Sequence, residues 1–358
     1  YYTACPNPFI EDFIRENGTP YDEATDDYHR EPFAADVSEG KNDPLYMAHG
    51  YHTKVPFKAI MRYILHYTEP GDIVLDGFCG SGMTGVAAQM CGCPDNATKH
   101  QLEQEMADSN IQWGYRYAIL NDLSPAATFI SRNYVMHQSA STFIERAHSI
   151  IEECVKECSW MYETVHVDEC GKPIYGLTGK PIMGRINYTV WSDVFVCPSC
   201  SREIVFYNAA IDHTNGIVRD EFHCPHCDSV LSKRDCIRAQ ETKYDDLLGK
   251  TITVAKQVPV FISYSVGKKR FQKNIDKIDM NTLERIDATP IKYPIPVAEL
   301  PYGYNTEQPK RSHGIFYVHQ FYTRRNLLTI AKFLSLCGND AIMRFMFTAI
   351  NTNASKLY

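Results

Sequence analysis

Residues 72–88 constrain the fold of this chain more than any other stretch. They read DIVLDGFCGSGMTGVAA: an apolar, β-branched run ends at an acid, a glycine-rich turn follows, and small residues open a helix. A strand, a tight turn and a helix N-terminus in this order form a ligand site in doubly wound α/β domains. Gly80 and Gly82 can adopt positive φ and admit a ligand to the backbone, while the helix N-terminus offers unpaired N–H groups. The stretch therefore predicts an α/β domain with a nucleotide or cofactor site.

The residues of the turn distinguish between cofactors. Met83 follows Gly82 at the position where a phosphate-binding P-loop needs lysine. Gly80, Gly82 and Gly85 have the spacing of a dinucleotide fingerprint, so the glycines alone leave a nicotinamide or flavin site open. Asp76, at the end of the strand, would repel a diphosphate but suits a cationic group. S-adenosylmethionine carries an amino group and a sulfonium, so we expect Asp76 to bind its amino group; the alternative is an acid that only holds the turn.

A second acid follows the next predicted strand, over residues 115–120. Asp122 lies at the tip of this strand, where a carboxylate in a doubly wound domain accepts hydrogen bonds from both hydroxyls of a ribose. The polar residues 91–113 look like an insertion, which explains the long spacing from Asp76. We predict that Asp122 binds the ribose of the cofactor; the alternative is an N-cap for a helix over residues 126–133.

Two C-x-x-C pairs are the most specific signal after the glycine turn. Cys197 and Cys200 are followed, after 23 intervening residues, by Cys224 and Cys227, with strand-like segments between the pairs. Each pair can turn back so that both sulfurs face one tetrahedral ion, as in a zinc ribbon. Four thiolates close the coordination sphere, so the sequence predicts one Zn²⁺ that is structural and not catalytic.

These motifs resemble those of a known enzyme family. Residues 76–84, DGFCGSGMT, resemble the first motif of amino-group (N6-adenine or N4-cytosine) DNA methyltransferases, which reads D-P-F-x-G-S-G-T-T. Residues 52–56 and 70–72 resemble the H-x-T-x-K-P segment and the P-G-D that precede it. With the double C-x-x-C added, the chain resembles the adenine-specific DNA methylases that contain a zinc ribbon, most strongly over residues 1–135.

The resemblance implies a fold, a reaction and a set of cofactor ligands. The fold is a Rossmann-like class I methyltransferase core, incomplete in this chain, with an inserted zinc-ribbon β subdomain. The reaction is transfer of a methyl group from S-adenosylmethionine to the exocyclic amino group of adenine in DNA. In this family the segment around His52, Thr53 and Lys54 lines the methionine end of the cofactor; the alternative is that these residues cap the helix after them. The implied cofactor ligands are Asp76, Phe78, Gly80, Gly82, Thr84, Asp122, His52, Thr53 and Lys54.

The catalytic motif of this family, [DNS]-P-P-[YFW], is missing. No Pro-Pro dipeptide occurs in the 358 residues. The nearest segment, residues 42–46 (NDPLY), has leucine for the second proline and is expected to form a turn. In the family's layout the motif would follow Tyr358, so we expect a fragment that binds cofactor and is catalytically incomplete. The alternatives are an inactive, methylase-like zinc-ribbon protein for nucleic-acid binding or assembly, an RNA amino-methyltransferase and, last, a nicotinamide oxidoreductase.

Charge limits where DNA can bind. The net charge is −7, and residues 1–50 hold eleven acids against three bases, so a DNA-facing surface must lie elsewhere. A basic run, Lys268, Lys269, Arg270 and Lys273, follows a predicted strand and is a candidate for phosphate contact; the alternative is a solvated face. DNA is the expected partner, and further subunits of a modification or defence system stay open.

Composition sets the remaining expectations. The chain has thirteen cysteines, which is an odd number, and four of them form two C-x-x-C pairs. In a chain of this size, these features indicate reduced thiols in the cytoplasm and not a disulfide framework. No apolar run is long enough to span a membrane. The predicted domains are an N-terminal arm (1–50) with a short helix over 9–16, the first half of the cofactor core (51–165), the zinc ribbon (185–240), a β-rich, basic connector (241–310) and a helical return to the core (311–358).

Overall fold

A computed structural model describes residues 12, 15, 16, 22–35, 41–51, 54–107, 111–212 and 215–356. The chain divides into two compact units, Tyr1–Val135 (unit 1) and Met136–Tyr358 (unit 2). The predicted cofactor ligands His52 and Thr53 lie outside the described residues, as does most of the predicted helix over 9–16. The boundaries of the five domains predicted from the sequence are not tested by this division into two units.

Unit 1 is built around an apolar layer of helices. Two of them, over residues 57–67 and 83–90, bury Phe57, Met61 and Leu65 against Met83 and Val86. In chain order the described elements are α1 (Pro44–Met47), α2 (Phe57–Tyr67), β1 (Ile73–Asp76), α3 (Met83–Met90), α4 (Asn96–Glu105), β2 (Tyr117–Leu120) and α5 (Pro125–Val135).

The sheet of unit 1 pairs β1 with β2 in parallel, as the order strand, turn, helix and strand predicts. Asp76 is paired with Leu120, so both strands end at the same edge of the sheet. One face packs on the helices through Val74 and Ala118. The other face carries apolar side chains that are 54–71% exposed: Ile73, Leu75, Tyr117 and Ile119. In the described part of the chain this sheet is therefore covered on one face only.

Unit 2 is organised around a long strand, β4, which pairs with β13 across most of its length. β4 also pairs with β3, β5 and β10, and β14 continues the sheet beyond β13. The strands are β3 (Glu163–Val165), β4 (Met183–Val196), β5 (Glu203–Val205), β6 (Ile211–Asp212), β7 (Ile217–Val218), β8 (Glu221–His223), β9 (Val230–Ser232), β10 (Ile237–Arg238), β11 (Gln240–Asp245), β12 (Lys250–Ala255), β13 (Gln257–Val266) and β14 (Lys269–Asn274).

The helices of unit 2 form a second core. They are α6 (Ala140–Cys158), α7 (Phe206–Ala210), α8 (Lys277–Ala288), α9 (Tyr304–His313), α10 (Arg324–Cys337) and α11 (Ala341–Ile350). Ile150 and Cys154 of α6 pack against Phe333 of α10 and Met343 of α11. Threonine is a preferred N-cap residue, so the sequence predicts a helix that begins after Thr323, and Thr323 caps α10 by accepting a hydrogen bond from the Asn326 amide. The packing explains why the Cys154 thiol is buried, which raises its pKa to about 12.

The glycine and proline residues of positions 171–184 predict a linker that leaves the cofactor core, but the structure shows hydrogen-bonded turns there. The amide of Ile174 donates to the carbonyl of His166, and that of Gly176 donates to Lys180. Short antiparallel bridges join Val167 to Pro173 and Tyr175 to Pro181. The glycine and proline residues therefore lie in two hydrogen-bonded turns that lead into β4, and the pattern that predicted a linker marks tight chain reversals within unit 2.

Candidate functional site

The glycine turn lies at the carboxyl ends of β1 and β2. Gly80 and Gly82 have φ of 51° and 80°, the left-handed conformation that glycine adopts without a steric penalty. The amide of Cys79 donates to the carbonyl of Asn121, 2.9 Å away, so the turn is tied to the end of the neighbouring strand. The amide of Gly82 closes the turn on the Cys79 carbonyl. Both strands thus contribute to one backbone-lined site.

Two side chains that sequence reasoning missed pack against these glycines. A Cβ at Gly82 would lie 2.5 Å from Cβ of Ser131 on α5, and a Cβ at Gly80 would lie 2.9 Å from the ring of Tyr51. Burial, followed by the charge on Asp122, raises the pKa of Tyr51. No local motif indicates either contact, because both join residues far apart in the sequence. Tyr51 is therefore an additional residue of the site.

Asp76 holds the start of the turn and the start of α3. Its Oδ1 accepts a hydrogen bond from the Phe78 amide at 3.1 Å, and its Oδ2 accepts one from Thr84 Oγ1 at 2.5 Å. Each carboxylate oxygen has two lone pairs, so acceptor capacity remains for a ligand. The Phe78 ring is 83% exposed beside this carboxylate. The structure therefore brings three predicted site residues together, Asp76, Phe78 and Thr84.

Asp122 joins the glycine turn from the other strand. Its Oδ2 accepts from the amide of Gly80 and its Oδ1 from the amide of Ser124, each at 2.9 Å. These two amides hold the pKa of Asp122 below its usual range, so the group is a carboxylate at neutral pH. The hydroxyl of Ser124, not the carboxylate of Asp122, accepts from the amide of Ala127 in the first turn of α5. The geometry favours Asp122 as a residue of the turn over a cap for that helix.

Two further residues of the turn are buried. Ser81 is 2% exposed, and its hydroxyl has no hydrogen-bond partner among the described residues. Burial raises the pKa of the Cys79 thiol, which argues against a reactive thiolate at this position. A polar hydroxyl without a partner beside backbone-lined space is a feature that ligand-binding turns often show.

Lys54 lies in the segment that precedes α2. Its ammonium donates to the carbonyl of His49 at 2.6 Å and to the carbonyl of Tyr46, and it lies 4.3 Å from the centre of the Tyr46 ring. Burial lowers the pKa of Lys54. Asp43 caps the short helix α1 through the Leu45 amide, so residues 44–47 form a single turn of helix where the sequence predicts a turn. In this structure the ammonium of Lys54 fixes that turn.

The four predicted zinc ligands come together in unit 2. The sulfurs of Cys197, Cys200, Cys224 and Cys227 all lie within 4.8 Å of one another. Cys197 Sγ is 3.8 Å from Cys227 Sγ, and Cys200 Sγ is 3.8 Å from Cys224 Sγ. A tetrahedral ion with Zn–S bonds of about 2.3 Å separates its sulfurs by about 3.8 Å. These residues therefore fit a zinc ion in composition, number and spacing.

The two C-x-x-C segments have the same backbone geometry. The amide of Ser201 donates to the Cys197 carbonyl, and the amide of Asp228 donates to the Cys224 carbonyl. Ser201 and Asp228, which follow the second cysteine of each pair, have φ of 57° and 59°. The Ser229 side chain, with its amide, lowers the pKa of Cys227 to about 6. Each segment is thus a closed turn, which we call a knuckle.

The predicted basic run divides between surface and interior. Lys268, Lys269 and Arg270 are exposed at the tip of the β13–β14 hairpin. Lys273 is 8% exposed, and its ammonium lies 2.6 Å from Asp276 and 2.9 Å from Asp279. Successive strand residues alternate between faces, so Lys273 follows Phe271 inward. Three of the four cations remain available to a phosphate.

Comparison with known proteins adds one family. Residues 14–93 match the N6- and N4-methyltransferase family model described as DNA methylase. The matched range contains α2, β1, the glycine turn and α3, and it ends before Asp122 and the four zinc-type cysteines. No curated protein and no solved structure matches the chain.

The match covers residues 14–93, less than a quarter of the chain. It supports a methyltransferase fold and a DNA amino-methyltransferase activity, with DNA as the substrate that the family implies. The cysteine cluster is compatible with a zinc site. Among the described residues, every helix is too short or too polar to cross a membrane.

Proposed function

We propose that this chain carries the S-adenosylmethionine-binding half of a methyltransferase that acts on the N6 amino group of adenine in DNA. One observation supports this most directly. Asp76 ends β1, Asp122 lies two residues after the end of the paired parallel strand β2, and the glycine turn is hydrogen-bonded to both carboxylates. Ligands of doubly wound domains bind at this edge of the sheet. The proposed core is Rossmann-like.

Each part of the site has a role in holding the cofactor. Asp76 accepts from the methionine amino group, and Asp122 accepts from the ribose hydroxyls. Gly80 and Gly82 give the turn its left-handed backbone, and their missing side chains make room for Tyr51 and Ser131. Phe78 offers an exposed ring, and Thr84 orients Asp76 through its hydrogen bond. Bound S-adenosylmethionine supplies the methyl group, and the protein residues orient it.

The segment before α2 completes the proposed cofactor site. His52 and Thr53 keep their proposed place at the methionine end. Lys54 supports that segment instead of touching the ligand, because two carbonyls already occupy its ammonium. Tyr51 covers the glycine turn from the same segment.

Zinc has a structural role in this proposal. One Zn²⁺ bound by Cys197, Cys200, Cys224 and Cys227 joins the two knuckles into a zinc ribbon inserted in the methyltransferase. Four thiolates leave no position for water or substrate, so the ion stabilises the fold and takes no part in methyl transfer. The exposed cations Lys268, Lys269 and Arg270 are proposed to contact DNA phosphates.

We further propose that the chain binds cofactor without completing catalysis. The support is the lack of a Pro-Pro dipeptide in the sequence and the sheet of unit 1, whose described strands leave one face exposed. A [DNS]-P-P-[YFW] tetrad holds the target amino group in the resembling family, and these 358 residues contain no such tetrad. Robust methylation of adenine-containing DNA by this chain alone would contradict the proposal.

Calorimetric titration with S-adenosylmethionine tests the site. Saturable binding that Asp76→Asn and Asp122→Asn each weaken by about tenfold or more is expected, since each removes a charge-assisted contact. Asp72→Asn is the matched control, because Asp72 precedes β1 and accepts from the Glu69 amide, away from the turn. Binding that neither site variant weakens would refute the assigned ligands.

The same titration separates the alternatives. A folded wild-type chain that binds no S-adenosylmethionine would favour the inactive nucleic-acid-binding or assembly protein. A nicotinamide dinucleotide in place of S-adenosylmethionine tests the oxidoreductase, and the two carboxylates predict no binding of its diphosphate. Competition between labelled DNA and RNA for the zinc-loaded protein separates the two nucleic-acid substrates.

A further inference from the structure

A cavity in unit 2 is separate from both proposed sites. It has a volume of about 280 Å³ and lies between the end of α6, residues 289–293 after α8, and α10. Its floor is apolar, formed by Met161, Leu328 and Ala331. It shares no residue with the glycine turn or with the cysteine cluster. Its size approaches the lower end of the range for small-molecule sites, about 300 Å³.

One wall of the cavity is a stack of two planar groups. The guanidinium of Arg285 lies 4.0 Å from the centre of the Trp160 ring. Trp160 is half-buried, while Arg285 is exposed on its outer side. Aromatic rings and guanidinium planes are the surfaces on which unstacked nucleobases pack. The wall therefore suits a flat aromatic ligand.

The rim of the cavity is net positive. Its carboxylate, Glu157, is paired with the Lys332 ammonium at 2.8 Å and accepts from the Tyr293 hydroxyl at 3.1 Å. The Lys332 hydrogen bond holds the pKa of Glu157 below its usual range. Arg285 and Lys292 are the two cations among the lining residues, and Glu157 is already neutralised by Lys332. An anionic group on the ligand would meet Arg285 and Lys292.

We propose that this cavity binds a nucleobase that carries a phosphate. The base would pack on the Trp160–Arg285 stack above the apolar floor, and the phosphate would bind Arg285 and Lys292. A free nucleotide and an unstacked nucleotide of a single strand share this chemistry. The apolar floor disfavours inorganic phosphate alone, and the cationic rim favours a nucleotide over a nucleoside. The proposal stands independently of the methyl-donor site, where two carboxylates would repel a phosphate.

Tryptophan fluorescence gives a local test. In the zinc-loaded full chain carrying Trp113→Phe and Trp191→Phe, Trp160 is the remaining tryptophan. Deoxyadenosine monophosphate is expected to quench it in a saturable way, and adenosine and inorganic phosphate to bind about tenfold more weakly or worse. Arg285→Gln and Lys292→Gln should each weaken the nucleotide by about tenfold. Arg311→Gln, an exposed arginine of α9 outside the cavity, is the matched control and should change little.

The outcomes distinguish a single strand from a free nucleotide as the ligand, and they include results that would overturn the proposal. Tighter binding of a short oligothymidylate than of the mononucleotide supports a single strand as the ligand, and the reverse order supports a free nucleotide. Absence of saturable quenching by both at millimolar concentration would overturn the proposal. So would quenching that Arg285→Gln and Lys292→Gln leave unchanged, or that Arg311→Gln reduces equally. None of these readouts depends on S-adenosylmethionine.

Discussion

Gly82 shows how one residue sets the shape of the cofactor turn. Its φ is 80°, and Ser131 on α5 occupies the space that a side chain would need. Two independent penalties therefore oppose any substitution: the left-handed backbone and the clash with a neighbouring helix. The missing side chain of Gly82 therefore lets α3 and α5 pack closely.

Gly82→Ala is expected to destabilise unit 1 by about 2 kcal/mol or more, since both penalties apply. Urea unfolding followed by Trp113, in a chain with the other two tryptophans replaced by phenylalanine, measures the loss. Gly77→Ala is the control, because a Cβ at Gly77 meets nothing within 4 Å. Equal effects of the two substitutions would contradict the packing account.

Ser201 and Asp228 show the reverse of the situation at Gly82: each has a left-handed backbone but also carries a side chain. Both have left-handed φ without being glycine, so Ser201→Gly and Asp228→Gly are each expected to stabilise the zinc-loaded protein by about 1 kcal/mol. Thermal unfolding of unit 2 measures the gain. Ser199→Gly lies in the same knuckle at negative φ and should give no gain; a gain there would mean that the effect is not conformational.

Local sequence patterns predicted some of the site residues, but they did not predict contacts between residues that are far apart in the sequence. The spacing of glycines and cysteines, the acids at strand ends and the Thr323 cap all act over a few residues, so the sequence displays them directly. Tyr51 over Gly80 and the Lys332–Glu157–Tyr293 contacts join residues between 29 and 175 positions apart. Contacts between such distant residues produce no periodic pattern in the sequence from which they could be predicted. Lys273 was misleading because a basic run does not reveal which strand face is buried.

At the scale of elements, the two knuckles and the strands beside them form one folding unit. Phe222 and Leu231 pack with Cys197 and Cys224 around the sulfur cluster, so the metal site and a small apolar core share residues. Loss of the ion should therefore disturb the β5–β9 region while leaving the β4–β13 pairing in place.

Cys197→Ser with Cys224→Ser is expected to release zinc and speed proteolysis of residues 190–235. Wild-type chain should hold one zinc per molecule by elemental analysis. Cys236→Ser, which changes a thiol packed beside the cluster but outside the predicted ligand set, should keep its zinc. Unchanged zinc and proteolysis in the double variant would refute the site.

Arg324 ties three elements together and gives a pH-dependent prediction. Its guanidinium donates to both carboxylate oxygens of Asp246, at 2.6 and 2.7 Å, and to the carbonyl of Thr289. The Arg324 hydrogen bonds hold the pKa of Asp246 below its usual range. The pair therefore stabilises the fold above the unfolded pKa of about 3.9, and the gain is lost as pH falls through the lower folded value.

Asp246→Asn should cost about 1 kcal/mol at neutral pH, a value reduced for the partial exposure of the carboxylate, and the cost should vanish in strong acid. Urea unfolding at a series of pH values measures both limits. Asp220→Asn, at an exposed carboxylate of the same unit, should show no such trend. A cost that is constant with pH would exclude the ion pair as its source.

At the scale of the whole molecule, the two compact units have separate cores and separate proposed ligands. Unfolding is expected to show two transitions: Trp113 reports unit 1, and Trp160 with Trp191 reports unit 2. S-adenosylmethionine should raise the first transition, and a zinc chelator should lower the second, because each ligand stabilises the unit that binds it. A single transition that responds to both ligands would show that the units unfold together.

The knuckles have a consequence for how the chain is assembled in time. Each is closed by hydrogen bonds that span four or five residues, such as Ser201 to Cys197, so it can form as soon as those residues leave the ribosome. The proposed ion instead joins Cys200 to Cys224, and it closes a loop of 23 intervening residues at an entropic cost. Zinc would thus behave as a removable cross-link. In metal-starved cells the chain would keep two formed turns on an open loop, ready to close when the ion returns.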